Sequence, residues 1–377
     1  MHPDLINLIW LCGILGAVIL FFLTTITFII FVDYKDKKEL ATLKARWEEL
    51  FLKYLEGDIT PGTVDTTPMA PKRALWMWEF LYPYLESLDG EDYDKIIELS
   101  YQSGMQASFL KQLRRGSAFK RALAARILGK VRCREAIPEV LPLLKSRHPE
   151  IVISAAHCMA NMGEEKYFLR TILAILRKTR STYEGATEIM SQFNQGDFTN
   201  ITDYLKGETE KAKDSKGAII PDKNKKIMDD EPTEKEKPAV MAIIVDVLGF
   251  HRRIDSLETL QEFLITHSND DELIIHIFKA FIRMDVVPDE LDLTPYFSHR
   301  SWVVRSMLAR MVAINGEEKY LASLEALLAD EYWWVRYRTA KSLWSMGPEG
   351  KTVLERNVQK ADTPEAAVSR YILAQEG

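Results

Sequence analysis

A chain of 377 residues, 47% hydrophobic and 28% charged, is long enough for two ordinary domains or one long repeat array. Its net charge of −6 argues against nucleic acid as a general partner. Three cysteines, Cys12, Cys133 and Cys158, form no C-x-x-C pair and leave an odd count, which argues against a disulfide framework or a structural zinc site and suits a reducing compartment.

From Leu5 to Val32 there is no charged residue in 28 positions, and Asn7 is the only strongly polar side chain. As a helix this stretch is ~42 Å long, enough to cross the ~30 Å hydrocarbon core of a bilayer. It is too long for the apolar region of a cleavable signal peptide, and no Lys or Arg precedes it. Lys35, Lys37, Lys38, Lys44 and Arg46 all lie behind it. The positive-inside rule therefore predicts residues 1–4 outside, a transmembrane helix at 5–32, and the remaining chain in the cytoplasm.

Leu40, Leu43, Trp47, Leu50, Tyr54 and Leu55 recur at three- and four-residue steps, so residues 33–57 read as a juxtamembrane amphipathic helix. It has too few heptads for a stable coiled coil, and docking on the main domain is expected. Residues 58–73 are rich in Pro and Thr and read as a linker that gives the following domain some freedom from the bilayer. Between Lys111 and Arg134 there are nine positive charges in 24 residues and no acidic one. Lys111, Arg114, Arg115, Lys120 and Arg121 open this stretch as candidates for contact with anionic lipid headgroups or an acidic partner. The alternative is a solvated helical face.

Residues 74–206 read as helical repeats. FKRALAARILGK ends near Gly129, VISAAHCMANMG ends at Gly163, and ATEIMSQF, Ala186 to Phe193, is a candidate third copy. Gly207 to Pro238 holds 17 charged residues in 32 and reads as a disordered linker or mobile loop, because it has too little apolar surface to bury. Residues 239–377 resume the pattern: AVMAIIVDVLG ends at Gly249, ELIIHIFKAFIRM at Met284, and further copies at Gly316, Gly347 and Gly377. Within each block the endpoints are spaced by 30 to 35 residues. Each repeated helix is expected to be followed by a second apolar helix, such as AIPEVLPLLK or KYLASLEALLAD. Such hairpins cannot bury their apolar faces alone and must stack on one another.

The last copies are the clearest. WVVRSMLARMVAING and WWVRYRTAKSLWSMG align Trp302 with Trp333, Arg305 with Arg336, Ala309 with Ala340, and Gly316 with Gly347. The glycines fit left-handed helix C-caps, and the alanines allow close helix approach. With Asp330, Val335 and Leu343, the D-x5-R-x3-A pattern resembles HEAT repeats, of the short HEAT-like class found in phycobilisome lyases. The resemblance covers roughly Ala118 to Gly377. It implies an all-α HEAT-like α-solenoid, here preceded by one transmembrane helix. Position 299 breaks the pattern with His for Asp, and position 154 with Ser for Arg.

No cofactor, metal or catalytic constellation emerges. The seven histidines show no HExxH spacing, and GxSxG, Walker and GxGxxG motifs are missing. His157 beside Cys158 reads as a packed helix position, because adjacent residues point about 100° apart. For Arg305 and Arg336 the structural expectation is a packed stem whose guanidinium bonds a loop carboxylate or carbonyl, with Asp330 the natural partner of Arg336. The functional alternative is an arginine row facing an anionic ligand. Trp302 and Trp333 are either core between repeats, which is the expectation, or partner anchors on a rim. The functional expectation is a membrane-anchored cytoplasmic scaffold or adaptor that is not an enzyme. It would bind a membrane-associated protein partner, as an accessory subunit of a membrane enzyme or transport machinery. The alternative that the resemblance implies is a bilin lyase, for which a membrane anchor serves no evident need.

Overall fold

The computed structural model describes residues 3–57, 69–179, 183–193, 198–214, 231–360 and 362–376. Among them every regular element is helical and no strand occurs. Packing divides the chain into two units, Met1–Arg115 and Gly116–Gly377, so the boundary falls inside the block read from sequence as residues 74–206.

The first unit is built on α1, Pro3–Leu55, an unbroken helix of 53 residues. The apolar span and the amphipathic stretch are one element, because no Gly or Pro occurs between Val32 and Leu55 to break it. Its apolar window has a mean hydropathy of 2.7 and none of it is buried; α1 is long and apolar enough to cross a membrane. Further along, Trp47, Phe51 and Tyr54 are buried. They face α2, Pro71–Ser87, where the Phe51 ring lies 5.8 Å from Phe80 and 4.6 Å from Tyr84. Asp36 pairs with Lys72 and Glu39 with Arg73, so α2 runs alongside α1 in the same direction from about Asp36 onward.

These contacts fix how the helix after the expected linker is held. The Pro/Thr-rich stretch does not leave the helix after it free of α1, because aromatic burial and two ion pairs hold α2 against it. Residues 58–68 of that stretch lie outside the described residues. Two further helices, α3 (Gly90–Gln102) and α4 (Met105–Arg115), complete the unit. Lys95 of α3 donates to the Leu55 carbonyl at 2.9 Å, satisfying one orphan acceptor at the end of α1.

The second unit opens with α5 (Ala118–Lys130) and a short turn of helix, α6 (Ile137–Val140). Next come α7 (Pro149–Met162), α8 (Phe168–Lys178), α9 (Tyr183–Met190) and α10 (Thr199–Asp214). After residue 231 follow α11 (Lys237–Phe250), α12 (Leu257–Thr266) and α13 (Asp271–Met284). The last five are α14 (Trp302–Asn315), α15 (Leu321–Leu327), α16 (Trp333–Ser345), α17 (Pro348–Val358) and α18 (Pro364–Glu376). The repeated helices of the sequence, α5, α7, α9, α11, α13, α14, α16 and α18, pack successively in one row. Partner helices such as α8, α10, α12, α15 and α17 form the second row, and Ala309 and Ala340 are fully buried within the first. The fold is a HEAT-like α-solenoid.

The repeat glycines serve two different ends. Gly316 ends α14 in the left-handed conformation (φ +62°), as expected. Gly347 departs from the expectation: Met346 ends α16, and Gly347 opens α17 with φ +81° and ψ −149°, a region open only to glycine. Gly129 and Gly249 lie inside their helices, where a Cβ would come within 2.6 Å of the Cα of Cys158 and of Ala280. There the missing side chain lets neighbouring helices of the row touch.

Two further expectations change. No full helix pairs with α13; residues 285–301 hold only a short 3-10 turn, Thr294–Tyr296, because Pro288 and Pro295 interrupt the segment. The charged stretch 207–238 is structured at both ends. Its first residues continue α10, where Glu208 and Thr209 are buried. At its far end Arg177 donates two 2.8 Å bonds to Glu236 and one of 2.9 Å to the Glu231 carbonyl. Residues 215–230 lie outside the described residues.

Candidate functional site

The two repeat arginines are built into the backbone turns that launch their helices. Arg305 is 9% exposed and grips Asp330 bidentately, Nε to Oδ2 at 2.6 Å and an Nη to Oδ1 at 3.0 Å, while its other Nη donates to the His299 carbonyl at 2.6 Å. Arg336 donates to the carbonyls of Asp330 and Glu331 at 2.7 and 2.9 Å. The expected bond between Arg336 and Asp330 is made, through the Asp330 carbonyl and not its carboxylate. Asp330 belongs to Arg305 of the preceding helix, because its carboxylate points back across the α14–α16 contact and leaves only its carbonyl to Arg336. Both guanidiniums are occupied by structure, and they form no open row for a ligand. The Asp330 bond is also the main reason the Arg305 guanidinium holds its proton more tightly than usual.

The tryptophans separate. Trp302 is half-buried and stacks on Tyr332 at 5.6 Å and 17°. Trp333 is 47% exposed and Trp334 53%, which overturns the expectation of a core role for Trp333. The reason is helical phase. Val335, Thr339, Ala340 and Leu343 take the buried face of α16, so Trp333, Trp334 and Arg338 are turned outward and Tyr337 is half-buried at the border. Trp333 stacks on Tyr337 at 5.0 Å and 10°, Trp334 meets both rings edge-on, and Tyr337 reaches Tyr371 of α18 at 6.2 Å. Tyr332 and Tyr371 are also exposed, at 42% and 48%. Sequence reading passed over Tyr332, Trp334, Tyr337 and Tyr371. The available signal was the four-residue step from Trp333 to Tyr337, which places two rings on one face beside the apolar one.

Tyr337 also borders a groove of about 790 Å³ between α14 and α16. Arg310 of α14, together with Arg338, Lys341 and Trp344 of α16, lines it, and so do Asp285 and Glu376.

The basic residues of the 111–134 stretch are distributed over both units. Lys111, Arg114 and Arg115 are exposed on α4, and on α5 Lys120 is exposed and Arg121 half-buried. Arg134 lies 3.5 Å from Glu164.

Two clusters of chemically able side chains are largely buried. Tyr183 donates to Asp246 Oδ2 at 2.5 Å, and His276 Nδ1 lies 3.3 Å from Asp246 Oδ1. Burial pushes the Asp246 carboxyl up, but bonds from His276 and Tyr183 and the Arg283 charge hold it below its ordinary value. Asp246 and His276 are buried, at 4% and 5% exposed, and Tyr183 is half-buried. Cys133 and Cys158 are free and buried, and burial is the main cause that raises Cys133 to about 11 and Cys158 further. Such thiols are poor nucleophiles. His157 Nδ1 lies 3.2 Å from Gln192 Oε1, part of the packing of α7 on the turn after α9.

Comparison with known proteins agrees with the repeat architecture. Residues 107–185 match the family of HEAT repeats. Among solved structures, human deoxyhypusine hydroxylase in complex with glycerol aligns with 87% of this chain and 97% of its own, at 14% identity and a TM-score of 0.21. A likeness that low carries no argument. No curated protein matches the chain.

Proposed function

We propose that this protein is a non-catalytic scaffold, held at a membrane by α1, whose C-terminal repeats bind a membrane-associated protein partner. The observation that carries this reading is an aromatic strip in which Tyr332, Trp333, Trp334 and Tyr371 are exposed and half-buried Tyr337 joins Trp333 to Tyr371. Water-facing rings in contact with one another contribute little to the fold, and Trp and Tyr are the residues that dominate protein-binding hot spots. A solenoid offers such a strip on a long rigid surface without needing catalytic groups. The exposed apolar length of α1 supports a membrane setting, and the basic residues behind it favour the N-terminus outside and the repeats in the cytoplasm. Lys111, Arg114 and Arg115, exposed on α4 of the same unit as α1, supply positive charge for anionic headgroups. An accessory subunit of a membrane enzyme or transport machinery fits these features.

The test is photo-crosslinking in native membranes from a photoreactive residue placed at Tyr371. The wild-type chain should capture a discrete membrane protein, and the Trp333→Ala/Trp334→Ala variant, folded normally, should lose it. Equal capture by the variant, or no discrete product from the wild type, would refute the reading.

A further inference from the structure

The groove between α14 and α16 has a charge pattern that the fold does not use. Arg310 and Arg338 are exposed, and among the described residues neither has an ion-pair or hydrogen-bond partner. Lys341 has only a 3.7 Å contact with Glu376. This contrasts with Arg305 and Arg336 on the same two helices, whose guanidiniums bond the Asp330 carboxylate and backbone carbonyls. Arg338 and Lys341 are one helical turn apart, and Arg310 faces them from the neighbouring helix of the row. Tyr337 and Trp344 bound the same stretch of α16, about 10 Å apart along the axis, the length of about three extended residues.

We propose that this groove binds a short acidic segment of a partner protein, with carboxylates over Arg310, Arg338 and Lys341 and a flanking apolar or aromatic side chain against Tyr337. The inference rests on the scaffold reading and names the chemistry of the partner. Charge complementarity decides the class. A run of about three extended residues places one or two carboxylates among three cations, which suits bidentate guanidinium recognition. Asp285 and Glu376 also line the groove and would repel a polymer with charge on every unit, such as a nucleic acid, but can accept N–H groups of a peptide. Tyr337 belongs to both the groove and the aromatic strip, so a segment leaving the groove on that side runs onto Trp333.

The experiment uses the full-length protein in nanodiscs of neutral lipid. A fluorescent glutamate–tyrosine copolymer is titrated, with polyglutamate and single-stranded oligothymidylate as competitors. We expect saturable, salt-sensitive binding of the copolymer, weaker competition by polyglutamate and little by the oligonucleotide. Arg310→Glu/Arg338→Glu should weaken the copolymer by about tenfold or more through loss and reversal of two charges. Arg310→Gln/Arg338→Gln should weaken it by less and serves if charge reversal disturbs folding. Absent copolymer binding, unchanged affinity in both folded variants, or oligothymidylate competing as well as the copolymer would each overturn the proposal. Its failure is separable from that of the scaffold reading. Crosslinking lost with Trp333→Ala/Trp334→Ala but kept with Arg310→Gln/Arg338→Gln refutes only the groove.

Discussion

Removing the carboxylate of Asp330 tests whether the repeat arginine is a structural strut. The pair is well shielded, with the Arg305 side chain 11% exposed and that of Asp330 6%. Breaking such a pair from one side costs about 3–5 kcal/mol, because the remaining charge stays buried without its partner. Arg305 keeps the His299 carbonyl, and Glu331, itself 76% exposed, stands 3.8 Å away, so the lower end of that range applies. Asp330 Oδ1 also accepts from the Tyr332 N–H at 2.9 Å, and losing that bond adds about 1 kcal/mol. Asp330→Ala should therefore cost about 4 kcal/mol, a fall of roughly 8–16 °C in melting temperature if the second unit unfolds together. Hydrogen exchange should accelerate first in α14 to α18, since each repeat is stabilised by its neighbours. Arg336→Ala removes two bonds to carbonyls at a half-exposed site and should cost only about 1 kcal/mol. The decisive measurement is the double-mutant cycle of Arg305→Ala with Asp330→Ala by thermal and urea unfolding. A coupling energy of about 2 kcal/mol or more is expected, and one below about 0.5 kcal/mol would refute the strut.

Gly249→Ala should lower the melting temperature although it raises helix propensity, because the new Cβ meets the Ala280 backbone at 2.6 Å; overpacking of about 1–3 kcal/mol is expected, and a stabilised variant would contradict the close approach. Phe51→Ala empties a site only 1% exposed between α1 and α2, at a cost of about 3–5 kcal/mol, and should speed hydrogen exchange in α2; unchanged exchange would mean that α2 is held by other contacts. Glu236 tests the clamp on the charged stretch through pH. The Arg177 bond above all holds its carboxyl down at about 2 from an ordinary 4.5. A lowered folded value means stability present above pH 4.5 and lost as pH falls toward about 2. Glu236→Gln should thus be less stable than wild type at neutral pH, with the gap closing across that window, and a gap independent of pH would exclude the ion pair as its cause.

Much of the architecture was legible because periodicity is a local property. The alignment of Trp302 to Gly316 with Trp333 to Gly347 requires only a repeating surface to bury, and the row from α5 to α18 follows from it. The apolar run of α1 was equally plain, since no polar group interrupts it for 28 residues. Partner choice was legible only in part. Asp330 is six residues before Arg336 and 25 after Arg305, so proximity in sequence finds the carbonyl bond to Arg336, and only stacked helices bring the carboxylate to the distant Arg305. The candidate surface was half-legible. Trp333 was found, but its outward orientation depends on which side of α16 meets α14.

The order of helices, their two-row arrangement and the apolar character of α1 were therefore written in the sequence, because they depend on composition and on contacts between neighbouring repeats. Tertiary structure alone decided the rest. It seated α2 on α1 despite the Pro/Thr-rich stretch, turned Gly129 and Gly249 into contact points, gave the Asp330 carboxylate to Arg305, and placed Arg310 and Arg338 on a groove without partners among the described residues. Each depends on the phase at which one helix meets another, and a rotation of about 100° per residue converts a small packing difference into a buried or an exposed side chain.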